Sequence, residues 1–233
     1  MINKRGILWI VFFVISTMMT CQILVGQTDT KDISIPLELI ENPNSIYWQK
    51  TKIAKKLKIR DLSKSTDSLI IRMWDADKVV EIIKNDSLQI FVYPIVYNSK
   101  NRLMTEQILI KSNSNILDKL VDLRVMDLPD YIDIPDYKLL GNGFTTCFEI
   151  STNKIYRFYR YYKPQNQKGI EEAVQASQII EIIDKATNRK KTIDDFIKGL
   201  PYDIYTFKTI IISGAERSYI PSDIQYNHIR IDE

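Results

Sequence analysis

The sequence predicts an α+β domain: an antiparallel β-sheet of about six strands packed against a long helix in the C-terminal half, behind an N-terminal leader helix. Three observations predict it. Short runs rich in β-branched and aromatic residues recur from residue 68, separated by turns that carry Asp and Asn. Residues 170–186 place apolar side chains at helical spacing. Residues 1–26 have the order of a secretory leader, with Lys4 and Arg5 ahead of the apolar run 7–15 and a small residue, Gly26, at the end.

The leader allows three fates. Cleavage after Gly26 suits the small-residue pocket of a signal peptidase. Acylation of Cys21 would make a lipoprotein, although Met18, Met19 and Thr20 ahead of it are bulkier than that processing prefers. Retention as an anchor is the third, because residues 7–25 approach the ~20 a bilayer helix needs, with Ser16, Thr17, Thr20 and Gln22 weakening the span. All three export the remainder, so the expected location is periplasmic or secreted, or else membrane-anchored, with the membrane touched only through the N-terminal segment. Residues 27–44, polar and marked by Pro36 and Pro43, read as a tether. Residues 45–233 then form one domain, long enough for a real core.

Ser45 precedes a helix over 46–57 whose Lys50, Lys52, Lys55 and Lys56 read as a solvated face. Strands follow over 68–74, 78–83 and 87–93, turned by Asp75-Ala76-Asp77 and Lys84-Asn85-Asp86, and a fourth over 105–111 extends the meander. A helix over 114–126 carries Ile116, Leu117, Leu120 and Leu123 on one side and stops at Pro129. Gly141-Asn142-Gly143 reads as a turn into a hairpin of strands 144–150 and 154–162. The helix over 170–186 covers one face of the sheet. A basic link over 185–191, a short helix around 194–197 and a late strand over 206–213 complete the chain.

Composition excludes several classes. Lys plus Arg number 32 against 29 Asp plus Glu, and two of the basic residues leave with the leader, so the basic footprint of a nucleic-acid binder is missing. Cys21 lies in the leader and Cys147 is then alone, which rules out a disulfide framework; inside Phe144-Thr145-Thr146-Cys147-Phe148 it reads as a small buried hydrophobe. His228 is the single histidine, so no triad or multi-histidine metal centre is expected, and no phosphate or dinucleotide loop occurs. No cofactor or metal is expected.

Two candidate sites remain. Arg157, Tyr159 and Tyr161 share one side of the aromatic-basic strand 155–163, where amphipathic rings beside a guanidinium suit a protein or glycan partner in the envelope. Alternatively, paired carboxylates could serve as acid and base of a glycan hydrolase: Glu149 with Asp75 or Asp77, Glu149 also being placed to meet Arg72 or Arg157 across the sheet. The pairs Glu171/Glu172 and Asp194/Asp195 are explained by favourable placement at helix N-termini.

Leu69-Ile70-Ile71-Arg72-Met73-Trp74, then Phe148-Glu149-Ile150, Tyr156-Arg157-Phe158, Pro164 and a helix with Glu172-Ala173, behind a leader ending Gly26-Gln27, resemble uncharacterised exported proteins of Bacteroidota-type bacteria. The resemblance spans residues 69–184. It implies an envelope location and a strand-rich core followed by a helix, and it brings no activity. The expected function is a non-enzymatic binding domain of the envelope.

Overall fold

The computed structural model describes residues 31–98, 100–111, 115–139 and 143–201, together with the backbone of two strands at 205–209 and 222–226. Residues 1–30, which hold the expected leader and Cys21, residues 141 and 142 of the expected turn, and His228 lie outside the described residues. The described residues form one compact unit.

The strands are β1 (Asp32–Ser34), β2 (Leu69–Trp74), β3 (Lys78–Lys84), β4 (Leu88–Pro94), β5 (Val96–Asn98), β6 (Leu103–Met104), β7 (Ile108–Ile110), β8 (Thr145–Ser151), β9 (Ile155–Tyr162), β10 (Tyr205–Thr209) and β11 (Ser222–Tyr226). The helices are α1 (Leu37–Glu41), α2 (Ile46–Leu57), α3 (Ile116–Asp122), α4 (Glu171–Ala186) and α5 (Arg189–Gly199). The main sheet runs β1-β9-β8-β2-β3-β4-β7, antiparallel except where β1 lies parallel to β9. A smaller sheet runs β11-β10-β5-β6.

The turns follow from their residues. Asp75 accepts the Ala76 N–H at 2.8 Å and closes the β2–β3 hairpin, while Thr152 Oγ1 accepts the Lys154 and Ile155 N–H groups and closes β8–β9. At Pro94 the chain leaves the main sheet and β5 continues in the smaller one, so one extended stretch serves both. The predicted fourth strand is accordingly split, β6 pairing with β5 and β7 with β4.

Both faces of the main sheet are covered, which makes three layers. On one face Ile71, Met73, Val80, Ile82, Phe148, Ile150, Tyr159 and Tyr161 pack against Ile116 and Leu120 of α3 and Ala176, Ile179 and Ile183 of α4. On the other, Ile70, Trp74, Val79, Ile83, Cys147, Tyr156 and Phe158 pack under Leu39 of α1 and Ile46 and Leu57 of α2. The expectation of a single helix on a single face is therefore too simple. The folded domain also begins earlier than expected, inside the segment 27–44 read as a tether: β1 joins the sheet edge, Leu39 is buried, and Lys31 Nζ donates to Leu62 O at 2.9 Å and Ser151 Oγ at 2.7 Å. The helix around 194–197 extends back to Arg189 and absorbs the basic link. No helix among the described residues is long and apolar enough to cross a membrane.

Candidate functional site: an ion-lined cleft and a buried charge ladder

The β2–β3 turn, the start of β8, the end of β9, α4 and α5 surround a cleft of about 1520 Å³. Its apolar wall includes Phe144, which is 41% exposed, with Ile180 and Ile193. Asp75, Asp77, Asp184 and Arg189 line its inner end. Arg189 donates from Nε and Nη2 to Asp77 Oδ2, at 3.3 and 3.0 Å, and from Nη1 to Asp184 Oδ2 at 3.1 Å; its Nη1 also lies 3.4 Å from Asp75 Oδ2. Behind them Lys78, fully buried, sets Nζ 2.9 Å from Asp184 Oδ1, 3.4 Å from Asp75 Oδ2 and 3.8 Å from Asp77 Oδ1. Three carboxylates thus surround two cations. The cluster ties the β2–β3 turn to the junction of α4 and α5, where Thr187 Oγ1 donates to Ile183 O at 2.8 Å at the end of α4.

Burial acts to raise the Asp75 carboxyl, yet Lys78 and Arg189 outweigh it and hold the group below its ordinary 3.8. A carboxyl whose pKa falls on folding stabilises the native state above its unfolded pKa, and that contribution is lost as the pH drops through the folded value. Asp75→Asn is expected to cost about 1–3 kcal/mol at pH 7 and to flatten the loss of stability in acid below about pH 3.9. Urea unfolding at neutral pH and at pH near 3 checks this; parallel acid profiles for the two proteins would contradict it.

On the α2 side of the sheet, strand register sets five side chains in one row, Phe158, Glu149, Arg72, Glu81 and Phe91. Arg72, 1% exposed, donates from Nε and Nη2 to Glu81 Oε1 at 2.8 and 2.6 Å, from Nη1 to both Glu149 oxygens at 3.2 Å, and from Nη2 to Arg60 O at 2.8 Å. Glu149 also accepts from Trp74 Nε1 and from Tyr156 OH at 3.0 Å, and Glu81 accepts from Tyr93 OH at 3.0 Å. Lys50 points inward over this layer, 7% exposed, its Nζ 5.5 Å from the centroid of the Trp74 ring. Desolvation lowers its pKa against the opposing pull of Cys147, Asp75 and Glu149, so this lysine departs from the solvated face expected of its helix.

The predicted site residues are distributed unevenly. Asp75 and Asp77 come together in the cleft. Glu149 meets Arg72 as anticipated, not Arg157, and it does not line the cleft; its oxygens are occupied by Arg72, Trp74 and Tyr156. Tyr159 and Tyr161 are 1% and 0% exposed, and Arg157 donates to Met126 O and Leu128 O. The expected aromatic binding surface is therefore core, covered by α4 and the segment after α3. Cys147 is buried, and burial foremost pushes its thiol up to about 12. Among the described residues no group of three or more His, Cys, Asp or Glu is disposed to hold a metal ion. Asp184, Arg189, Lys78 and Phe144 were not singled out from sequence. One signal was present, since Asp184 sits in the last turn of its helix, where a negative charge opposes the helix dipole unless a cation meets it.

Comparison with protein-family models, with curated proteins and with solved structures finds no match for this chain.

Proposed function

We propose that this chain is an exported binding domain of the cell envelope that takes a segment of a partner macromolecule into the cleft between the β8–β9 end of the sheet and α4–α5. The observation that carries this reading is the cleft itself: at about 1520 Å³ it exceeds the ~300–1,000 Å³ of small-molecule pockets, and it offers an exposed aromatic side chain, Phe144, beside a charged inner end. The carboxylates support binding over hydrolysis. A glycosidase needs one carboxyl raised to act as acid. Asp75 is instead lowered, and Glu149 is committed to Arg72.

A photo-crosslinking residue placed at Phe144 is the direct test, with Leu109, 62% exposed on β7, as the control position. Expressed with its natural leader, the chain is expected to give a discrete adduct from position 144 and none from 109. Equal labelling at both, or none at either, would remove the cleft as the binding site. Release of reducing ends from envelope glycans, abolished in Asp75→Asn, would establish the hydrolase instead. Intact mass and membrane fractionation of the native protein test export separately: a soluble species starting at Gln27 means a released protein, a lipid on Cys21 or a retained leader means a tethered one.

A further inference from the structure

The α1–α2 end of the domain carries a second surface, unrelated to the cleft. Leu37 is 65% and Ile40 42% exposed, three residues apart on α1. Trp48 of α2 donates from Nε1 to Ile40 O at 3.0 Å and so continues that surface onto the longer helix. On α2, Ile46, Lys50 and Leu57 face the core, and helical spacing puts Trp48, Lys52 and Lys55 at i, i+4 and i+7 on the opposite side, with Lys56 beside them. Lys52, Lys55, Lys56 and the following Lys58 are exposed, and α2 contains no acidic residue. Of the acids on α1, Glu38 is engaged by Arg160 at 2.8 Å, which leaves Glu41.

We infer that this surface lies on an anionic lipid bilayer, with Leu37, Ile40 and Trp48 entering the interface and the α2 lysines meeting the headgroups. The chemistry is that of interfacial segments: aliphatic tips, a tryptophan at the polar boundary and a row of lysines that snorkel from it. A second copy of the chain would not need the lysines, because four like charges set face to face repel. Chain length adds to the case. A lipid on Cys21 leaves nine residues, 22–30, between it and Lys31, a reach of at most about 35 Å, so the α1 end would stay close to the membrane. The inference rests on export, and it places a membrane contact in the folded domain beyond the leader.

Every described element lies at or after Lys31 in one compact unit, so a chain beginning at Gln27 retains the whole fold. That chain is to be sedimented with vesicles of phosphatidylcholine, alone or with about one third phosphatidylglycerol. Binding is expected to the anionic vesicles, weakened at least about tenfold by Lys52→Glu/Lys55→Glu/Lys56→Glu and by Leu37→Ser/Ile40→Ser, and reduced by salt. Both variants change exposed residues only, and an unaltered melting curve confirms their fold. No binding by the parent chain, or binding that neither variant alters, overturns the inference. Equal binding to neutral vesicles overturns the anionic assignment. A concentration-dependent dimer abolished by Leu37→Ser/Ile40→Ser, without vesicle binding, assigns the surface to self-association instead. Because the leader is absent from this assay, its failure is separable from a failure of the export reading, which the native mass reports.

Discussion

Arg72→Met is expected to destabilise the domain by about 3–5 kcal/mol in urea unfolding. β2 runs between β3 and β8, and register sets Arg72 opposite Glu81 on one side and Glu149 on the other. Both carboxylates are buried, at 2% and 6% exposure, and methionine fills the volume of the arginine stem without supplying its charge. What remains is two acids in a low-dielectric layer that have lost their cation, with Trp74, Tyr93 and Tyr156 as the remaining side-chain donors. The cost arises from the stranded acids rather than from the attraction lost, and a second variant separates the two. Arg72→Met combined with Glu81→Leu and Glu149→Leu removes all three charges and is expected to recover most of the stability, since apolar replacement of a buried triad is often neutral or favourable. A loss below about 1 kcal/mol for the single variant would mean that water reaches the ladder and the layer is not dry.

Much of this ladder was readable. Arg72 and Glu149 each interrupt an apolar strand, and period-two geometry puts such interruptions on one face once the strands pair. Glu81 interrupts Val79-Val80-Glu81-Ile82-Ile83 in the same way, and its equal standing became visible only with the register. The strands also carried a signal about layers: Ile70 beside Ile71, Val79 beside Val80 and Ile82 beside Ile83 are apolar on both parities, as strands covered on two faces require. The α1–α2 layer is what covers the second face. The inward lysine of α2 was not readable in the same way. Lys50 has the same composition around it as Lys52, Lys55 and Lys56, and only its helical phase with Ile46 and Leu57 sets it apart. The cleft was legible in part, through Asp75 and Asp77. Arg189, which binds them, comes from more than a hundred residues away, a separation no local pattern encodes.

Tyr159→Ala is expected to cost about 3–5 kcal/mol, the range for removing a buried aromatic ring, and to do so before any partner is involved. The ring stacks on Phe148 with centroids 5.2 Å apart, meets Tyr161 edge-on at 6.1 Å, and lies under the Arg157 guanidinium at 5.7 Å. Its hydroxyl donates to Val125 O at 2.7 Å, which anchors the chain just beyond α3. Tyr159→Phe keeps the stack and loses that bond, leaving a buried carbonyl short of a donor, so about 1–2 kcal/mol is expected. The ordering of the two variants distinguishes a core position from a binding surface: a surface tyrosine would lose little stability in either and would lose binding in both. The strand invites the opposite reading because aromatic residues occupy both its parities, Tyr156 and Phe158 facing α2 and Tyr159 and Tyr161 facing α4, and a tyrosine-rich strand looks amphipathic when its two faces cannot be told apart. Urea unfolding with near-UV circular dichroism settles it, and must precede any partner capture with these variants, since loss of a partner by an unfolded chain carries no information about the surface. A Tyr159→Ala protein with the parent's midpoint would return the aromatic strand to the solvent and make the packing of α4 over β9 incorrect.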